Sequence, residues 1–379
     1  MTFAARETFE SWRNVSGGMR VGDTTLNKLQ ISGTWTANAW SNPGFRLHAQ
    51  VFRTNGERLT SRVGDLQTVS NIEALSTDRL FEAWAEQSFG KPTQGGVAVR
   101  VGLIDLNSDF DSIEPAALFI DSSHGIAPDL SKSGRNGPSI FPVSSAAVRL
   151  TWTPTEDWTV RGGVFDGVPG DPQHPKAFAA VRLSSEDGAL GIAEVDHKLG
   201  KDAQVSLGAW RYTTASATLD GAIRSHDSGV FGYVEGPVPR LEGWSGWVRA
   251  GWGNRDVQVV SGYVGGGVVR KGLVAGRSDD RLGFAVSRAA IAPAAQRLQG
   301  LRAAETTWEA TYQVKVADWI AVQPDVQYLV HPSGRAGLPN VLVVGLRVVL
   351  TAGYPKKAPA TEQADPTVPP DNPAEAPPT

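Results

Sequence analysis

The run Trp308-Glu309-Ala310-Thr311-Tyr312-Gln313-Val314-Lys315-Val316 changes chemical character at every step. Trp308, Ala310, Tyr312, Val314 and Val316 share one face, and Glu309, Thr311, Gln313 and Lys315 share the other. That is the period of two of a β-strand, not the 3.6 of a helix. After only Ala317-Asp318-Trp319, a second run sets Ile320, Val322, Pro324, Val326, Tyr328 and Val330 against Gln323, Asp325 and Gln327. Two such runs joined by so short a link make a β-hairpin.

The same reading extends to the whole chain and predicts strands near 16–20, 26–37, 45–54, 79–89, 96–106, 144–153, 157–166 and 188–197, then near 203–213, 228–236, 243–253, 257–270, 280–289, 304–315, 320–331 and 340–351. About sixteen antiparallel strands suit an all-β transmembrane barrel, which in bacterial single chains uses an even number and at this width holds an aqueous lumen. Links after alternate strands are short, as at Ser41-Asn42-Pro43-Gly44, 91–95, 154–157, 200–202 and 317–319, while those between are long, above all 107–143. Outer-membrane barrels alternate short periplasmic turns with long external loops in this way. The links 271–280 and 253–256 fit the alternation less well. Residues 1–15 are expected to be an N-terminal periplasmic segment, 16–352 the barrel, with 107–143 folding inward as a constriction loop, and 353–379 a disordered Pro-rich tail.

Composition excludes several alternatives. Among 379 residues there is no Cys, which rules out disulfides, thiolate metal sites and Cys nucleophiles, and the net charge of −3 argues against a nucleic-acid partner. No stretch reaches the roughly 18 uninterrupted apolar residues of a transmembrane helix. The mean hydropathy of −0.20 does not oppose a membrane barrel, because alternation averages the lipid face against the lumen face. Met1–Arg13 lacks the basic start and apolar core of a signal peptide, so the expectation for an exported barrel is a start placed downstream of the true one or a mature chain.

Aromatic residues gather near strand ends, at Trp35, Trp40, Trp152, Trp158, Trp244, Trp252, Trp308, Trp319 and Tyr328, as girdles at two membrane interfaces would require. The opposite faces carry charge at strand centres: Glu82 and Glu86 around Trp84, then Arg100, Arg149, Arg161, Arg249, Glu309, Asp325 and Arg347. Such charges need partners in a dry core but are tolerated by a wet lumen. The candidate lumen set is completed by Trp210 and by Asp105, Asn107, Asp109 and Phe119 at the constriction loop. Arg and carboxylate groups would exchange hydrogen bonds with sugar hydroxyls, and aromatic faces such as Trp84 or Trp210 would stack on a pyranose ring. The same charges could instead pair with one another and keep the pore wet. The acidic loop residues raise Ca²⁺ as a cofactor, although their spacing matches no calcium loop. Six His without zinc-type pairing, and no G-x-S-x-G or phosphate loop, leave no catalytic constellation, so an enzyme is not expected.

Several runs resemble the carbohydrate-selective porin family of Gram-negative bacteria, often called OprB-like: Trp12-Arg13-Asn14-Val15-Ser16-Gly17-Gly18, Gly102-Leu103-Ile104-Asp105-Leu106-Asn107-Ser108-Asp109-Phe110, Leu118-Phe119-Ile120-Asp121-Ser122-Ser123-His124-Gly125, Gly276-Arg277-Ser278-Asp279-Asp280 with Leu282-Gly283, and Gln323-Pro324-Asp325-Val326-Gln327-Tyr328. The resemblance implies an outer-membrane barrel that carries mono- and disaccharides by diffusion past a constriction lined by Arg, acidic and aromatic side chains. Its partners would be sugars and outer-membrane lipid and lipopolysaccharide, with the barrel a monomer or a homotrimer. A general porin without sugar preference, or a barrel with an enzymatic or structural role, is the alternative.

Overall fold

The computed structural model describes residues 1–37, 44–91, 94–179 and 181–354. Sixteen strands form in chain order: β1 Thr2–Ser16, β2 Gly22–Thr36, β3 Phe45–Gly56, β4 Thr77–Lys91, β5 Gln94–Ile104, β6 Ser145–Thr153, β7 Trp158–Asp166 and β8 Ala189–Lys198 in the first half, then β9 Gln204–Ala217, β10 Arg224–Pro237, β11 Trp244–Gly253, β12 Val260–Lys271, β13 Arg281–Ile291, β14 Ala304–Ala317, β15 Ile320–Val330 and β16 Val341–Tyr354. Each strand pairs with its sequence neighbours, and β1 pairs with β16 to close the sheet. Phe9, for example, lies opposite Asn27 on one side and Val348 on the other. Closure leaves no strand edge, and in hydrocarbon no backbone N–H or C=O can be left without a partner.

The barrel is inside out relative to a soluble sandwich, and the alternation of its strands dictates this. Leu207 is 67% exposed on the outer wall, while Glu309 is 3% exposed within. The exposed Trp35, Trp152, Trp158 and Trp319 sit toward the end with the β2–β3, β6–β7 and β14–β15 turns, and Trp252, Trp308 and Tyr328 toward the other end. These are the two expected girdles. Trp40 and the Ser41-Asn42-Pro43 turn lie outside the described residues, as do 92–93 in the 91–95 turn and the tail from 355 onward.

The N-terminal expectation is corrected. Residues 1–15 are not a periplasmic segment and 16–20 is not the first strand, because Thr2–Ser16 is itself a wall strand and residues 17–21 are the turn that follows it. The barrel therefore runs from 2 to 354, and Gly353 and Tyr354, expected in the tail, still pair with β1.

Two long links fold into the barrel where one was expected. In the link after β5, short 3-10 turns at Leu106–Ser108 and Pro115–Leu118 precede single-turn helices at Ser122–Gly125 and Pro128–Ser131. Asp105 and Asp121 cap two of them by accepting from the backbone N–H of Asn107 at 3.1 Å and of Ser123 at 2.9 Å. Its apolar residues Leu106, Phe110, Ile113, Leu118, Phe119 and Leu130 pack on the inner wall at Phe165, Ile192, Trp210, Tyr233 and Trp247. The link after β3 packs Leu59, Val63, Val69 and Ile72 against Trp12, Leu26, Leu329 and Val343 on the opposite wall. The hydrophobic core thus lies inside the barrel, between wall and loops.

Candidate functional site

What remains open between the two loops and the wall of β1, β2 and β16 is a cavity of about 790 Å³. Its wall mixes cations (Arg6, Lys28, Arg58, Arg79, Lys132, Arg347), carboxylates (Glu73, Asp105, Asp171) and neutral hydrogen-bonding groups such as Gln30, Asn71 and Asn107. Apolar contact comes from the loop around Ile140, Phe141 and Pro142. Lys28 Nζ stands 3.9 Å from the centre of the Phe141 ring, a cation–π contact between two residues of the cavity wall.

Of the fifteen residues expected to line the lumen, Asp105, Asn107 and Arg347 do so here. Arg347 is partly committed, its Nε donating to Glu10 at 2.6 Å and its Nη2 to Asn71 at 2.6 Å. Asn107 knits the constriction loop, its Nδ2 donating to the carbonyls of Phe110, Asp111 and Gly125. Burial, with the Glu82 charge adding to it, pushes the Asp105 carboxyl up to about 7, against the Asn107 N–H and the Lys28 cation.

The remaining charges mostly clamp the loop to the wall. Arg100 from β5 and Arg149 from β6 both reach Glu86 on β4 at 2.9 Å, and both also hold Asp109 of the loop, at 2.8 and 3.1 Å. Arg249 grips Asp111 in bidentate fashion, at 3.2 and 2.9 Å, and also pairs with Asp129. Arg161 stays on the wall, paired with Glu194 at 3.0 Å and with Asp196. The carboxylates take loop backbone directly. Glu309 accepts from the N–H of Ile120 at 2.6 Å and of Asp121 at 3.1 Å, and Glu194 accepts from Asp111 at 2.8 Å. The second loop is held in the same way, Glu305 accepting from Leu66 and Gln67 at 2.8 and 2.9 Å. Asp325 lies beside these groups and accepts from the Gln327 amide at 3.1 Å.

The aromatic candidates are corrected in role. Trp84 is flanked by the His48 ring, stacked at 4.9 Å, and by the Arg100 guanidinium, 4.0 Å from its centre, while its Nε1 donates to Glu82 at 3.2 Å. Trp210 is buried against Tyr212, and Phe119 is buried against Trp247 at 5.0 Å. Neither presents an open face to a sugar. Phe119 fits its place because the wall beneath carries Gly283, where a Cβ would come within 2.7 Å of the Phe119 ring. His124 lies beside it, and burial pushes its imidazole down to about 3, so it stays neutral 3.6 Å from Glu309.

Of the acidic loop residues that suggested Ca²⁺, Asp109, Asp111 and Asp129 are bound to arginines and Asp121 to the N–H and hydroxyl of Ser123. Among the described residues no group of three or more His, Asp or Glu is placed to hold a metal ion. Sequence reasoning missed Arg6, Lys28, Gln30, Asn71, Arg79 and Lys132. Arg6 occupies an inward register of β1, readable only once residues 2–16 are placed as a strand, whereas Lys28 and Gln30 alternate inward within the strand predicted near 26–37.

The carbohydrate-selective porin, OprB family model matches residues 22–351. Porin B of Pseudomonas aeruginosa is 26% identical over 352 residues, covering 79% of this chain and 75% of that protein. Among solved structures, a Pseudomonas putida OprB at high pH superposes with a TM-score of 0.78 at 18% identity, covering 92% of this chain and 94% of that one. A Rhodopseudomonas blastica porin with three substitutions gives 0.52 at 11% identity, covering 93% and 100%. These likenesses carry the fold, and the family match carries the assignment: the chain belongs to the carbohydrate-selective porin family, OprB, and is a sixteen-stranded barrel of the Gram-negative outer membrane.

Proposed function

We propose that the barrel is a passive diffusion channel for mono- and disaccharides, without cofactor and without catalysis. The observation that carries this reading is the cavity itself, whose Gln30, Asn71, Asn107, Asp105 and Lys28 offer donors and acceptors together while Phe141 supplies an apolar surface. A sugar presents hydroxyls that both donate and accept, so such a wall replaces part of its hydration shell without the cost of leaving polar groups unpaired. Its 790 Å³ falls within the range of pockets that enclose small molecules. Porin B and OprB, the relatives, bear names that agree with transport rather than chemistry.

The test is single-channel conductance in planar bilayers with rising glucose, together with liposome swelling. Ion current that falls as glucose enters, and swelling in glucose, are expected. Unchanged current and no swelling would make this a porin without sugar selectivity.

Outer-membrane lipid and lipopolysaccharide contact the apolar outer band. We place a second copy of the chain, within a homotrimer, against the outward face of β1 and β2, where the Asn27 amide donates to Glu7 near the middle of both strands. A carboxylate and an amide at mid-strand are poorly matched to lipid tails.

A further inference from the structure

The charges of the cavity do not balance locally. Its carboxylates are engaged: Glu73 by Arg58 at 3.4 Å and the Thr60 N–H at 3.1 Å, Asp171 by His174 at 2.7 Å, and Asp105 by the Asn107 N–H at 3.1 Å. Among the described residues, no carboxylate lies within 4.0 Å of the Arg6, Lys28, Arg79 or Lys132 cations, all of which line the space. Arg79 is turned only to the carbonyl of Pro175, at 2.6 Å.

Strand register sharpens this imbalance. On the inner face Arg6 lies opposite Gln30, and Thr8 opposite Lys28, so the four side chains form one patch with its two cations on a diagonal. Diagonal neighbours across an antiparallel pair stand about 7 to 8 Å apart at the backbone, within joint reach of one carboxylate by two long side chains. The electrostatic neighbours of Arg6 are themselves cations, Arg347 and Arg281, whereas Lys28 faces the Asp105 carboxylate as well as Arg6 and Arg347. Arg281 turns its guanidinium to the Gln313 amide oxygen at 2.7 Å, not to an acid. Gln30 donates its Nε2 to Gln50 at 2.9 Å, which leaves its oxygen as an acceptor for a hydroxyl.

We propose that the Arg6–Lys28 patch is a subsite for carboxylated monosaccharides, aldonates and uronates, so that the channel takes sugar acids in preference to neutral sugars of the same size. The carboxylate is held between the two cations, and the ring or chain hydroxyls meet Thr8, Gln30 and Asn71. Low-dielectric walls focus the excess positive field, which Asp105 beside Lys28 offsets only in part, on the entering anion. The inference rests on the sugar-channel reading and adds the class of sugar.

Block of single-channel current by glucuronate and by glucose, in the full-length protein, tests it. Half-block is expected at about tenfold lower glucuronate than glucose, a difference of about 1.4 kcal/mol, and the gap should narrow as KCl is raised. In an Arg6→Gln/Lys28→Gln double variant, checked as a folded barrel by its heat-dependent migration on gels, the ratio should fall toward one. Equal block by both sugars in the unaltered channel, or a preference that persists in the double variant, overturns the subsite and leaves the sugar channel standing. Block by glucuronate alone supports the subsite and overturns the neutral-sugar reading. Block by neither overturns both.

Discussion

Arg249 shows what a single residue reveals and conceals. Alternation places it on the inner face of β11, and the expectation that it faces a wet lumen follows from the cost of a dry charge. Its partners could not be read, because Asp111 and Asp129 lie more than a hundred residues away and reach it only when the constriction loop docks. Replacing Arg249 with Ala leaves two buried carboxylates without their cation, a loss of about 3 to 5 kcal/mol for a broken buried pair. The expected result is a detached loop: higher and noisier single-channel conductance, and cleavage between 105 and 143 by protease in a barrel that remains folded. Restoring quiet conductance with Asp111→Asn and Asp129→Asn on top of Arg249→Ala would tie the effect to charge. Asp105 makes a second expectation at this scale. Its carboxyl, pushed up to about 7 and faced by Glu82, Asp109 and Lys28, is protonated below that pH and ionised above it. Raising the pH through 7 therefore adds one negative charge beside Lys28, and the preference for chloride in a zero-current potential should fall. Asp105→Asn should give a flat profile, and a flat profile in the unaltered channel would contradict this.

At the scale of the element, strands with one consistent face were legible and β1, mixed on both faces, was not. β15 reads at once because Pro324, Val326 and Tyr328 are outward and Gln323, Asp325 and Gln327 inward, and the structure keeps both sets where alternation puts them. β1 hid because both of its faces are mixed. Glu7, Ser11 and Arg13 point outward among Phe3 and Phe9, while Trp12 points inward beside Glu10 and Arg6. Losing the first strand also removed Arg6 from view, and with it half of the inner patch. The inward course of the 57–76 link was missed for a different reason: its apolar residues Leu59, Val63, Val69 and Ile72 are scattered through turns and show no period. Because Thr2–Ser16 closes the wall, deleting residues 2–16 should leave β2 and β16 as open edges, not trim a dispensable segment. The expected product in detergent or liposomes lacks the fast-migrating, heat-sensitive band of a closed barrel. A normal band and normal conductance would return that segment to the periplasm.

At the scale of the whole molecule, polarity is inverted twice. Charge is buried and apolar surface exposed around most of the circumference, yet on β1 and β2 the outer wall carries Glu7, Ser11, Thr25 and Asn27 between Phe9, Leu346 and Val348, around a shallow outer groove. Lipid tails offer these groups no hydrogen bonds, whereas another protein surface does. The second copy proposed above would account for the pattern, and with it for the resistance of β1 to reading: a strand that faces protein need not keep the strict outward apolarity that lipid demands. Mass measurement of the protein in nanodiscs is expected to show three copies. Ser11→Trp separates the two environments, because an outward Trp is tolerated beside lipid but has no room at a packed contact. The variant should keep its heat-sensitive barrel band and conductance while falling apart into single copies. If the unaltered protein is already a single copy, or if Ser11→Trp leaves three together, the polar stripe of β1 and β2 faces something other than a second barrel.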